Sequence, residues 1–270
     1  MLLFNETQSK NPGGDILNPE KISKQRNLLL TIRYVGTNYH GFQIQKNAFT
    51  VQESFQNTLS KIIFHSVDIK GCSRTDSGVH ANMYCLNFKT SSNIPCERLT
   101  MALNRNLPSD IAVLDCREVS SDFHARYSCL GKEYVYKIWN HKIRNPFLNN
   151  YVFHYWYPID VPLLNNAAQH FIGTHDFTSF CTLDSRNQKN MVRTVKNFEI
   201  IKEDSLVIFK VEADGFLYNM VRIMAGTLLH IAQGKILPEK IKEIIMEKNR
   251  KKAGPTAVAK GLYLNKIFYQ

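Results

Sequence analysis

The stretch "FLYNMVRIMAGTLLHIAQG", Phe216 to Gly234, constrains the fold more than any other part of the chain. Leu217, Met220, Val221, Met224, Leu228 and Ile231 form one apolar stripe at helical spacing, and Ile223 and Leu229 add apolar surface opposite it. A helix that is apolar nearly all round belongs inside a fold, with other elements packed on several sides. Arg222 sits in the middle of this helix. Arginine keeps its proton in a protein, and a buried unpaired charge is costly, so Arg222 needs a carboxylate or a polyanion. Two readings stand: a structural ion pair, which the helix pattern alone favours, or an arginine facing a cleft. The pattern does not identify the acid.

The chain has the material to surround such a helix. It is 270 residues long, 44% apolar and 21% charged, ordinary values for a globular protein of one large or two small domains. Residues 1–26, rich in Pro, Gly and Asn, read as a loose polar tail. "LLLTIRYVG" (Leu28 to Gly36) reads as a strand closed by glycine. A helix is expected from Thr50, where Thr50 and Glu53 spell a T-x-x-E capping box and Val51, Phe55, Leu59 and Ile62 share a face. "VDIKGCS" and "VHANMYCLNF" read as strands, "CERLTMALNRNLP" as a helix ending at Pro108, and "DIAVLDCREV" as a strand. Further on, "KEYVYKIWN" is a strand with Tyr134, Tyr136 and Ile138 on one face, and "VPLLNNAAQHFIG" a helix stopping at Gly173. "MVRTVKNFEIIK" and "LVIFKVEADG" pair as strands, with Val207, Phe209, Val211 and Ala213 facing one way. Helices follow over about Phe216 to Gln233 and around Pro238 to Lys248. The alternation implies an α+β protein built on an antiparallel sheet.

Composition narrows the function classes. Thirty-four Lys and Arg against 23 Asp and Glu leave a formal charge of +11, and the sequence pI is about 9.3. Such a balance favours a polyanionic partner, nucleic acid first among them. The six cysteines (Cys72, Cys85, Cys96, Cys116, Cys129 and Cys181) are scattered without CxxC spacing and read as buried reduced thiols. The nine histidines include no HExxH, and no structural metal is expected. The N-terminus lacks a secretory h-region and no stretch is apolar enough to span a membrane, so a cytoplasmic protein is expected.

The stretch "GCSRTDSGVHA", Gly71 to Ala81, sets Arg74 and Asp76 two residues apart on a glycine-flanked turn. In a surface loop such a pair is worth under about 1 kcal/mol. The sharper reading is a catalytic carboxylate held by a cation. This stretch resembles the R-T-D-x-G-V-H-A signature of the tRNA pseudouridine synthase A family. "YVGTNYHGFQIQ", "TVQESFQNTL", "LNRNLPSDIAV", "DFHARYSCLGKEYVYKI", "GTHDFTSF", "GFLYNMVRIMAGTL" and "AGPTAVAKGLYL" also resemble family stretches, in family order. Departures are Phe42 in place of tryptophan, Ser73 and Ser77 beside the arginine and aspartate, and Lys132 where arginine is common.

The resemblance implies two pseudo-symmetric ferredoxin-like halves, residues 27–125 and 126–270, whose sheets join across a central cleft. It implies an isomerase that turns uridine into pseudouridine in the tRNA anticodon stem-loop, at tRNA positions 38 to 40, without a cofactor and as a homodimer. By the same resemblance Asp76 is the nucleophile and Arg222 its partner. Arg74 helps hold the target nucleotide flipped, Tyr134 stacks on the uracil, and Leu262 lines the uracil pocket. His124 and Arg126 match a motif near the cleft and are expected to touch RNA. Without the resemblance, Tyr134 and Leu262 would read as core. Looser phosphate-contact runs are His141 to Asn145, Arg186 to Lys196 and Lys248 to Lys252, each more often a solvated surface. Three rivals remain: an RNA-binding module that has lost catalysis, a family enzyme acting on another RNA, and a small-molecule glycosidase. The last normally needs two carboxylates, and only Asp76 occupies a motif position.

Overall fold

Two kinds of strand pattern build one sheet. In β1 (Arg26–Tyr34) and β3 (His80–Thr90) apolar residues run consecutively, as in Leu28–Leu29–Leu30 and Tyr84–Cys85–Leu86, and are buried on both faces. In β9 (Leu206–Ala213) buried and half-buried residues alternate, the mark of a strand with one face on the core. These are parts of a computed structural model that describes residues 25–182 and 190–270. The expected tail therefore lies almost wholly outside the described residues, as do residues 186–189 of one phosphate-contact run.

The remaining elements are α1 (Val51–Ile63), β2 (Lys70–Gly71), α2 (Cys96–Asn106), β4 (Ile111–Val119), β5 (Gly131–Trp139), β6 (Phe153–His154), α3 (Val161–Gln169), β7 (Gly173–Asp176), β8 (Val192–Glu203), α4 (Met220–Ala232), α5 (Lys240–Glu247) and β10 (Leu262–Phe268). The fold is mixed α+β on a ten-stranded sheet of order β4-β1-β3-β10-β5-β9-β8-β7, with β2 beside β3 and β6 beside β5. Pairing is antiparallel except at β3·β10 and β5·β6. The expected β8–β9 hairpin is present, and Val207, Phe209, Val211 and Ala213 are all buried. One apolar cluster runs through the molecule.

Local chemistry explains the element ends. Thr50 caps α1, its Oγ1 accepting from the Glu53 N–H at 3.3 Å. α4 is buried from Met220 to Leu229 apart from Arg222, as an all-round apolar helix requires. It begins three residues later than the apolar stripe suggests, because Asn219 takes a left-handed φ of 62° and Leu217 stays in the preceding turn. "VDIKGCS" forms only the two-residue β2. α3 ends at Gln169, and Gly173, at φ 115°, opens β7 rather than stopping the helix. Cys72, Cys85 and Cys181 are buried free thiols, whereas Cys96, Cys116 and Cys129 are free but only partly buried. No helix among the described residues is long and apolar enough to cross a membrane.

Candidate active site

Asp76 lies on the turn from β2 to β3, and that turn is tied down from three directions. Thr75, nearly buried, shares a hydrogen bond with the Tyr34 hydroxyl at 2.7 Å, while its carbonyl accepts from the Phe42 N–H at 3.2 Å. Gly41 presses against the same carbonyl at φ 86°; a Cβ there would stand 2.5 Å from it. Gly78, also left-handed, donates its N–H to the Tyr39 carbonyl at 3.2 Å. On the far side, Lys132 donates to the Cys72 carbonyl at 2.7 Å. The glycines of the motif thus serve backbone conformation and close approach.

The acid that Arg222 requires is Asp76. Arg222 Nη1 lies 3.3 Å from Asp76 Oδ2, across 146 residues of sequence. The guanidinium is aimed by two further acceptors, Asn219 Oδ1 at 2.7 Å and the Ala257 carbonyl at 2.7 Å, and the Ala257 N–H returns a bond to the Arg222 carbonyl at 3.1 Å. The side chains are 23% (Asp76) and 18% (Arg222) exposed, enough to meet a ligand and little enough to feel desolvation. Burial raises the Asp76 carboxyl above its ordinary value, with Arg222 opposing. Arg74 is exposed and, among the described residues, pairs with no carboxylate, so it is not the cation that holds Asp76.

The pair opens into a cavity of about 260 Å³ whose lining includes Arg74, Asp76, Arg126, Tyr134 and Leu262. Tyr134, on β5, is 6% exposed; its hydroxyl meets Ser73 Oγ at 3.1 Å and its ring stands edge-on to Phe216 with centroids 5.0 Å apart. Burial raises its phenol, which stays neutral. Leu262 opens β10 opposite Tyr136. Lys132 and Arg193 also line the cavity, and among the described residues Asp76 is its one carboxylate. Burial lowers the Lys132 ammonium.

Six of the seven candidate residues are thus brought together. His124 is not: it borders a separate cavity of about 530 Å³ with Lys70 and Lys89, its Nδ1 accepting from the Arg126 N–H at 3.1 Å. Sequence reasoning also missed Asn219, Ala257 and Phe216. No periodicity marks them, because their roles rest on contacts made only in the fold. The run Lys248 to Lys252 is largely engaged within the chain: Lys248 pairs with Asp176 at 2.8 Å and Lys252 with Glu247 at 3.7 Å. Arg250 donates to the Gly254 carbonyl at 2.9 Å and to Thr256 Oγ1 at 3.1 Å, bracing the segment that holds Arg222.

The family model described as tRNA pseudouridine synthase matches residues 30–128 and 167–270. The tRNA pseudouridine synthase A of Thermoanaerobacter sp. is 46% identical over 244 residues, 90% of this chain and 100% of that protein. The protein of the same name from Clostridium acetobutylicum is 46% identical over the same shares. A tRNA pseudouridine synthase A 2 from Clostridium tetani is 45% identical over 246 residues, 90% of this chain and 99% of that protein.

Proposed function

The chain belongs to the tRNA pseudouridine synthase family, an isomerase that converts uridine to pseudouridine in tRNA, and on that premise we propose that Asp76 is its nucleophile and the anticodon stem-loop its target. The reaction breaks the glycosidic bond from the uracil nitrogen to the ribose, turns the ring, and rejoins it through carbon. The ring carbon gives up a proton and the freed nitrogen takes one, so atoms balance with no group donor. Asp76 supplies the electron pair. Arg222 holds the carboxylate at 3.3 Å and favours its charged form against the burial that disfavours it. Tyr134 offers its ring to the uracil face and Leu262 closes the apolar side of the pocket. Extruding a base costs a few kcal/mol, and Arg74, exposed at the mouth, is placed to offset part of that. Arg126 and Arg193 receive phosphates, and His124 touches RNA outside the base pocket.

One observation carries the reading: a carboxylate and a guanidinium paired at a cavity otherwise lined by an aromatic ring, an aliphatic side chain and cations. An RNA-binding module without catalysis would be expected to have lost such residues, and the presence of Asp76, Arg222 and Tyr134 supports the enzyme reading. The enzyme is further proposed to act as a cytoplasmic homodimer. The exposed apolar side chains Ile143, Phe147, Trp156 and Tyr157 support a contact between copies; Phe147 is 90% exposed.

The substrate reading is tested on an unmodified tRNA transcript with uridines throughout, by chemical derivatisation and primer extension. Pseudouridine confined to tRNA positions 38 to 40 is expected. Product in another arm would overturn the proposed target while leaving the reaction intact. No product despite tight binding would overturn both. Sedimentation of the purified protein reads the oligomer directly, and a monomer at micromolar concentration would sink the homodimer.

A further inference from the structure

The signature histidine, His80, lines no part of the cavity, yet it occupies the most consequential junction in the sheet. Among the described residues, strands β4, β1 and β3 pair with β10, β5, β9, β8 and β7 only at β3·β10, and that parallel pairing is two residues long, Tyr263 with His80 and Leu264 with Ala81. Asp76 hangs four residues before His80 on one side of this seam. On the other side, Arg222 is fastened to Ala257, in the segment that runs into β10. The reach from carboxylate to guanidinium is therefore set across the seam.

We propose that His80, as a neutral imidazole protonated on Nε2, clamps this seam and is a positioning residue for the Asp76–Arg222 pair. The inference rests on the assignment of Asp76 given above. The ring is fully buried. Its Nδ1 lies 3.0 Å from the Gly36 N–H, a donor that demands a lone pair; its Nε2 lies 3.2 Å from the Lys260 carbonyl, an acceptor that demands a proton. Each partner comes from a different side of the seam. Gly36 itself must be glycine, since a Cβ there would stand 2.0 Å from the Val79 carbonyl, in the turn that follows Asp76. The ring stacks on Tyr263, with centroids 4.6 Å apart.

A second proton has no place in this arrangement: it would set N–H against N–H at Gly36. The surroundings agree. Lys137 is the charged group facing the ring, its ammonium 4.3 Å over Tyr263. Tyr151 flanks at 6.0 Å, the backbone at Asn150 lies alongside, and among the described residues no carboxylate pairs with the ring. Burial pushes the imidazole below its ordinary 6.5, against the backbone hydrogen bonds at Lys260 and Asn150 and with a smaller push from Lys137. Acid therefore charges His80 only by breaking the clamp.

The test compares wild type, His80→Asn and Asp76→Ala. Asparagine keeps an acceptor for Gly36 and cannot titrate. His80→Asn is expected to lower kcat about ten- to a hundredfold, as a small misplacement does, with KM for tRNA within about twofold. Below both ionisations, log kcat should fall with pH at a slope of about two in wild type, one proton each from His80 and Asp76, and about one in the variant. Should the variant fold poorly, two-bond proton–nitrogen spectra of the wild type at neutral pH still decide: one imidazole must be protonated on Nε2 alone and resist titration. Wild-type kcat in the variant, an unchanged acid slope, or the other tautomer would overturn the clamp. Full turnover by Asp76→Ala would instead overturn the assignment beneath it, and the tautomer would stand independently.

Discussion

Burial and charge pull on Asp76 in opposite directions, and burial prevails. The sign has a consequence for stability. A carboxyl whose folded pKa is raised contributes stability that is complete below its unfolded value near 3.8 and is lost as pH climbs through the folded pKa. Ionised Asp76 is thus a cost to the fold at neutral pH. Asp76→Asn is expected to melt at, or up to about 3 °C above, the wild-type Tm at pH 7 while losing turnover, and to show no advantage below about pH 4. A Tm several degrees lower would contradict this. Tyr134 divides into ring and hydroxyl. Tyr134→Phe forfeits the 3.1 Å bond to Ser73, about 1 kcal/mol, and should keep kcat within about tenfold. Tyr134→Ala removes the ring, costs about 3–5 kcal/mol and should abolish product in the same assay. Asp76 and Tyr134 stood out in the sequence through the motifs that carry the family resemblance, and Arg222 through the charge that an all-round apolar helix must pair. Asn219 and Ala257 were not, since they act through a left-handed turn and a backbone carbonyl, which residue identity does not encode.

The helix that carries Arg222 is aimed by its packing against one segment of backbone. A Cβ on Gly226 would stand 1.8 Å from the Pro255 carbonyl, and one on Gly254 would stand 2.6 Å from Thr227. The Thr227 hydroxyl also accepts from the Gly254 N–H at 2.9 Å. α4 therefore lies directly on residues 254–257, and Arg222 reaches Ala257 as a result. Gly226→Ala is expected to destabilise by about 1–3 kcal/mol and to lower kcat at least tenfold, though Gly226 touches no substrate. A thermal melt and a rate measurement check both, and wild-type values in both would refute the packing argument. Loss of the Thr50 cap, by contrast, should cost about 1 kcal/mol in the melt and leave the rate alone. Apolar periodicity revealed α1, α4 and the β8–β9 pair. It overran the start of α4 because Leu217 continues the stripe in a turn, and it missed the brevity of β2 because pairing length depends on a partner strand.

At the scale of the molecule, an excess of eleven positive charges meets a polyanion, and affinity for tRNA should fall steeply with salt. Arg193→Gln, on the cavity rim, should reduce the slope of log Kd against log salt by about one. An unchanged slope would remove it from the phosphate contacts. The α+β class was legible from the alternation of strand and helix patterns. The strand order was not: the last strand, β10, inserts between β3 and β5, a placement fixed by long-range pairing and the covering of apolar faces. Across that insertion Asp76 and Arg222, 146 residues apart, come into contact. The most direct test of this account is single-turnover conversion of an anticodon-arm transcript by Asp76→Ala, with tRNA binding measured alongside. No detectable pseudouridine with Kd within about threefold of wild type is predicted. Product formed at a rate near that of wild type would contradict the central claim that this carboxylate carries the chemistry.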